Sequence, residues 1–171
     1  ERPPRDPDAR MLQRAVHDPE WEVIMLAYHM MNQRPADTIL PVTRAKGIGT
    51  LAMFAVRNIF SKPERLRTTL ADLAAQGSIP ADVAEAAEPL DFLWRKGGAR
   101  SLTDAAYRFV RHTVGIDVVL FGTGRIDHLE ANVAAIDAPP LPEETVATLR
   151  RLFGSLGGIG LDTPDHARDR I

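Results

Sequence analysis

Cysteine is absent from all 171 residues. Neither a disulfide nor a thiolate-ligated zinc can hold the chain together, so an apolar core must. A reducing compartment is compatible with this, and the cytoplasm is the expected location. An excess of one charge is also missing: 21 basic against 23 acidic side chains leave a net charge of −2. That gives no basic field for nucleic acid. No apolar run reaches the roughly 18 residues of a membrane span, and no signal-peptide pattern opens the chain. An initiator methionine is missing as well, and upstream material is therefore expected. What remains, 44% hydrophobic and 26% charged residues, is the mix of a single soluble domain.

Three apolar stretches read as strands covered on both faces: WEVIMLAY (21–28), IGTLAMFAV (48–56) and IDVVLFG (116–122). Helical patterns separate them. The first is DARMLQRAVHD (8–18), with Asp6 or Asp8 as cap and Pro7 in the first turn. PADTILPVTRAKG (35–47) closes on Gly47, with Pro41 as a start or a kink. SKPERLRTTLADLAAQG (61–77) offers Ser61 as cap and Gly77 as stop. An Ala-rich connection with one or two short helices leads to SLTDAAYRFVRHT (101–113), capped by Ser101. Helices over 127–137 and 142–154 follow. The alternation predicts three neighbouring parallel strands, near 22–28, 48–54 and 117–121, with helices on one side only.

The third strand runs into Gly122-Thr123-Gly124-Arg125 and then a helix. A strand-to-helix turn of this kind offers free backbone N–H groups and the positive end of a helix dipole to an anion. Gly122 and Gly124 let the backbone come close to a ligand. Arg125 brings a forked cation suited to phosphate. His128 and Asn132, one helical turn apart, could meet the polar edge of a base. The plainer reading is a Gly-rich loop with Asp127 as an ordinary helix cap. The fragment is neither a Walker loop nor Gly-x-Gly-x-x-Gly. A phosphate site after the last strands of a (β/α)8 barrel is a scaffold that fits.

The stretches 101–135 and 11–56 together resemble the last part of the aldo/keto reductase barrel, strands six to eight, and the likeness covers most of residues 9–153. The resemblance implies an α/β fold: a partial (β/α)8 TIM barrel of three parallel strands with covering helices. Residues 1–154 would form the C-terminal part of that barrel, and 155–171 a flexible tail. It implies an oxidoreductase that passes hydride between NADPH and an aldehyde or ketone. Cofactor contacts would fall on Gly122, Thr123, Gly124, Arg125, His128 and Asn132, with Phe54 and Arg57 from the preceding strand end. Lys62 and Arg65 would stand nearby, as pyrophosphate contacts or as a solvated helix start.

Departures from the family are equally specific. Met25 stands where it carries a Gln for the nicotinamide amide, and Met53 and Phe54 stand where it carries an aromatic ring and a Ser. Its catalytic Asp, Tyr, Lys and His belong to the first four strands, so no catalytic residue is expected here. Tyr28 and His29 are expected to be structural. His17, His112 and His166 show no metal-ligand spacing. Three strands cannot close a barrel, so a homo-oligomer or a missing N-terminal half is the expected partner. A non-catalytic nucleotide-binding or protein-interaction module is the alternative.

Overall fold

A computed structural model describes residues 9–161. The proposed caps Asp6 and Asp8, together with residues 162–171 of the expected tail, lie outside the described residues. Three strands, β1 (Val23–Ala27), β2 (Gly49–Met53) and β3 (Val118–Val119), form one parallel sheet in the order β1-β2-β3. Val23 pairs with Gly49 and Ala27 with Met53, while Leu51 and Ala52 pair with Val118 and Val119.

Between β1 and β2 the expected single helix is two, α1 (Pro35–Thr38) and α2 (Leu40–Lys46). Pro41 sits in the first turn of α2, where its missing N–H costs nothing. Gly47 ends α2 in the left-handed conformation. After β2 come α3 (Asn58–Ser61) and α4 (Pro63–Ala75). Ser61 therefore ends α3 rather than capping α4; extended Lys62 takes the cap position because Pro63 disfavours a helical residue before it. Two short helices, α5 (Ala81–Glu85) and α6 (Phe92–Arg95), precede α7 (Leu102–Arg111). Beyond β3 lie α8 (Ile126–Ile136) and α9 (Glu143–Phe153). A further short helix, Arg10–Ala15, precedes β1.

Helices cover one face of the sheet. Ile24, Leu26, Ala52 and Val119 are buried there against Leu40, Leu70, Phe109, Val110, Leu149 and Phe153, which form the core. On the other face Val23, Met25 and Val118 are 51%, 47% and 45% exposed. Helices thus lie on one side only, as expected, and the apolar patterning suited to cover on both faces is met on one face. Continuous apolar strands fit a barrel whose interior is filled by side chains from alternate strands, and three strands supply only part of that filling.

β3 is also shorter than expected. Asp117, just before it, turns its carboxylate onto β2: Thr50 N donates to Oδ2 at 2.8 Å, and Asp117 N donates to Thr50 Oγ1 at 3.1 Å. The Thr50 hydroxyl lies 2.6 Å from the Gly115 carbonyl and 3.0 Å from Asp117 Oδ2. Gly115 makes this possible. Its φ is +95°, and a Cβ there would come within 2.9 Å of the Arg44 side chain. A side-chain clip thus replaces the ladder at the start of β3.

The segment after α9 fastens onto the loop following β1. Gly158 N donates to Asn32 Oδ1 at 3.0 Å, Asn32 Nδ2 donates to the Ala27 carbonyl, and Leu161 is buried. Beneath it His29 is fully buried, edge-on to Phe60, with Nδ1 accepting from Met31 N at 3.2 Å and Nε2 without a hydrogen-bond partner. Burial depresses its pKa to about 3; the Ile159 carbonyl opposes this weakly, and the charge of Arg57 reinforces it.

Two outcomes are expected. Thr50→Val keeps the shape but strands Asp117 N and the Gly115 carbonyl. Urea denaturation should show a loss of about 1–3 kcal/mol, and an unchanged midpoint would remove the clip from the account. For His29, the unfolded chain takes up a proton near the ordinary value of 6.5 and the folded ring only near 3. Stability is therefore full above the first value and is lost as pH falls toward the second. Between pH 7.5 and pH 5 the loss is about 2 kcal/mol. His29→Asn, which retains an acceptor for Met31 N, should show a correspondingly flatter profile; parallel profiles would contradict the burial of a neutral ring.

Candidate functional site

The strand ends carry a cleft of about 1000 Å³. One wall is the end of β2 and the start of α3, with Phe54 and Arg57; the other is built from the loop after β3 and from α7 and α8. Six of the residues anticipated as cofactor contacts meet here: Phe54, Arg57, Gly122, Thr123, His128 and Asn132. Gly124 and Arg125 are not part of the lining. Neither is Lys62 or Arg65; Arg65 instead borders a separate hollow of about 340 Å³ with Arg57 and Gly158.

Phe54 adopts φ +69°, a left-handed conformation that is strained for an aromatic residue. Its ring is partly exposed rather than packed in the core, and the Arg57 guanidinium carbon lies 4.2 Å from its centroid. On the opposite side, Cβ atoms placed at Gly122 and Gly124 would meet no atom within 4 Å. The fold itself does not demand glycine at either position, and at Gly122 the missing side chain leaves the cleft open. Thr123 Oγ1 accepts from Arg125 N at 3.2 Å and shapes the turn.

Two anticipated roles change. Asp127 is not the cap of α8; Arg125 stands at the cap position in extended conformation, and no side chain caps that end. Asp127 instead takes the Arg125 fork, Nε to Oδ1 at 3.0 Å and Nη2 to Oδ2 at 2.6 Å, on the open surface. Each charge favours the other, raising the arginine pKa and lowering that of the carboxyl. The physical reason is proximity: a carboxylate two residues away reaches the fork before any diffusing anion.

Asn132 is buried to 9% exposure on α8, and its side chain bonds to no described residue. Among the described residues His29 Nε2 is the only fully buried side-chain N or O atom without a partner, so the Asn132 amide atoms are open to solvent, on the side of the cleft.

The sequence reading missed the α7 side of the cleft. Ser101 caps α7, accepting from Asp104 N at 3.1 Å as expected, but Arg100, Asp104 and Tyr107 also line the wall. Tyr107 packs edge-on against Phe121 at 6.0 Å, and burial raises its pKa. Topology was the available signal. In β/α alternation each helix begins at the same end as the preceding strand finishes, so the run Arg100–Asp104 had to share the strand ends. Tyr28 and His29 lie elsewhere. Tyr28 is buried, stacked on Phe109 at 5.8 Å, with its hydroxyl 3.4 Å from Thr113 Oγ1. Among the described residues no group of three His, Asp or Glu could hold a metal, and no helix is long and apolar enough to cross a membrane.

Parallel β/α units with a polar cleft at the strand carboxyl ends define a portion of a (β/α)8 barrel. The aldo/keto reductase family model matches residues 6–153, and the chain belongs to that family. An aldo-keto reductase of Bacillus halodurans is similar in fold, in its holo form (18% identity, TM-score 0.53, 86% of this chain and 47% of that one) and in its apo form (18%, 0.53, 86% and 48%). An aldo/keto reductase of Klebsiella pneumoniae in complex with NADP and acetate aligns at 19% identity and TM-score 0.49, over 77% of this chain and 39% of that one. The chain thus spans about half the length of the Bacillus protein. No curated protein matches it.

Asn132→Leu separates site from scaffold. No protein hydrogen bond is lost, so the melting temperature should hold or rise. A clear fall in melting temperature would show that the amide serves the fold.

Proposed function

We propose that the cleft holds the adenosine and pyrophosphate end of a nicotinamide dinucleotide, NADPH in preference to NADH, in an oxidoreductase of aldehydes and ketones working in the cytoplasm. One observation carries this reading: the Asn132 amide, bonded to no described residue and open to the cleft, beside Gly122, Thr123 and His128. An adenine edge, with donors and acceptors in one plane, satisfies such an amide. His128 stands one turn away on the same helix. Gly122 and Thr123 offer backbone to the ribose and phosphates, with Gly124 and Arg125 at the lip, and Arg57 supplies a cation beside the Phe54 ring. When bound, the cofactor supplies hydride to a carbonyl carbon.

The described residues do the binding part of this work. Carbonyl reduction also needs a proton donor at the substrate oxygen. Tyr28 and His29 are buried beneath the sheet, so the proposal gives neither that role. The apolar sheet face, with Met25 in the place of the family's Gln, is in this reading the wall that a second copy or an N-terminal half covers. That same face favours the alternative of a non-catalytic interaction module.

Fluorescence titration of the chain should show saturable NADPH binding, without NADPH oxidation when a generic aldehyde is added. Absence of binding overturns the proposal. Oxidation that persists in the double variant Tyr28→Phe, His29→Asn would place a proton donor elsewhere in the chain.

A further inference from the structure

We infer that Arg100, rather than Arg125, reads the 2′-phosphate of the nucleotide; this rests on the dinucleotide reading above. Place is the first argument. Arg100 lines the cleft with Gly122, Thr123, His128 and Asn132, whereas Arg125 does not.

Charge is the second. Asp104 serves two arginines. Its Oδ1 accepts from Arg100 Nε at 2.9 Å and Nη2 at 2.6 Å, while Oδ2 accepts from Arg100 N at 3.1 Å and Arg108 Nη1 at 3.4 Å. One carboxylate between two guanidiniums leaves the wall with a positive charge. Arg108 is spent on its own neighbours, donating to the carbonyls of Gly98, Pro139 and Pro140. The net charge belongs to the cluster, and Arg100, its side chain 61% exposed against 8% for Arg108, is the member that presents it to the cleft. Arg125, by contrast, shares both carboxylate oxygens of Asp127 one to one, and that pair is neutral.

Preorganisation is the third. The Arg100 fork is held by a buried carboxylate on a capped helix, and both of its contacts go to one oxygen. Its Nη1 edge donates to no described residue. A phosphate can take that edge without breaking the Asp104 bonds. Ser101 and Thr103 line the cleft beside it and add hydroxyl donors. Arg125 also bonds its carboxylate through Nε and Nη2, but its remaining edge lies outside the cleft lining. The ligand class is a 2′-phosphorylated adenosine.

The test uses the adenosine halves alone, 2′,5′-ADP and 5′-AMP, titrated calorimetrically into the full chain. Wild type should prefer 2′,5′-ADP by about tenfold or more, since a charge-assisted bond is worth roughly one decade. Arg100→Gln, which can still donate to Asp104, should lose that preference and keep 5′-AMP affinity; Arg125→Gln should retain it. Preference lost in Arg125→Gln and kept in Arg100→Gln overturns the inference while leaving the dinucleotide reading intact. Failure of wild type to bind either nucleotide overturns both. Should Arg100→Gln fail to fold, the wild-type Arg Nε–H NMR signals decide. A shift of Arg100 with 2′,5′-ADP but not 5′-AMP supports the assignment, and a shift confined to Arg125 refutes it.

Discussion

Asp104 places a carboxylate, 5% exposed, between two guanidiniums at the start of α7. Burial pushes its pKa up; bonds from the Arg100 side chain and backbone, the charge of Arg100 and the bond from Arg108 outweigh this, and the carboxyl is held below its ordinary range. A buried carboxylate of this kind is tolerable only because it is fully paired. The pairing then reaches further than the pair. Arg108 joins the turn before α7 at Gly98 to the α8–α9 connection at Pro139 and Pro140. The relative placement of α7 and α8, which together build one wall of the cleft, follows from this one charge cluster.

The sheet imposes the second constraint. Its covered face is closed by the core, and its other face presents Val23, Met25 and Val118 to solvent. With β3 reduced to two residues in the ladder, most of what aligns it with β2 is the Thr50–Asp117 clip. The clip works at the amino end of the strands, opposite the cleft. The carboxyl ends are left to diverge into the loops at Phe54 and Gly122 that form the site. Stability and the proposed binding are thus divided between the two ends of the same strands, as in barrels generally.

Much of this was legible in residue order. The three strands, Ser101 as a cap, the Gly47 stop and the two positions open to Pro41 follow from local rules that depend on few neighbours. Phe54, Arg57, Gly122, Thr123, His128 and Asn132 could be grouped because β/α alternation brings strand ends together. Other features depended on partners far along the chain. Asp117 shortens β3 because its carboxylate accepts from Thr50, 67 positions away. Ser61 loses its capping role to an unforeseen helical turn at 58–61. Arg125 looks like a free cation in sequence, and only the rotamer that brings Asp127 onto its fork shows otherwise. Two-sided apolar patterning states what a strand is suited to touch, not whether the touching surface is present.

Phe54 shows how these constraints meet at the site. A left-handed backbone at an aromatic residue costs on the order of 1–3 kcal/mol, and glycine would avoid it. The neighbouring Ala55 is fully buried and Met53 is paired in β2, so the chain must turn sharply between ladder and core. Phe54 is the residue at the turn. The strain therefore has a scaffold origin, but the identity of the side chain does not. A phenyl ring facing a cleft, with a guanidinium over it, gains little for the fold that a small residue at the same φ would lack. What the ring adds is a flat apolar surface whose orientation is set by the strained backbone and held by Arg57. The opposite wall has Gly122, and no side chain at that position intrudes on that surface. The cleft thus combines one aromatic face of set orientation, one open backbone wall and the exposed guanidinium of a net-positive cluster at Arg100, the arrangement that the proposed planar, multiply charged nucleotide would satisfy at once.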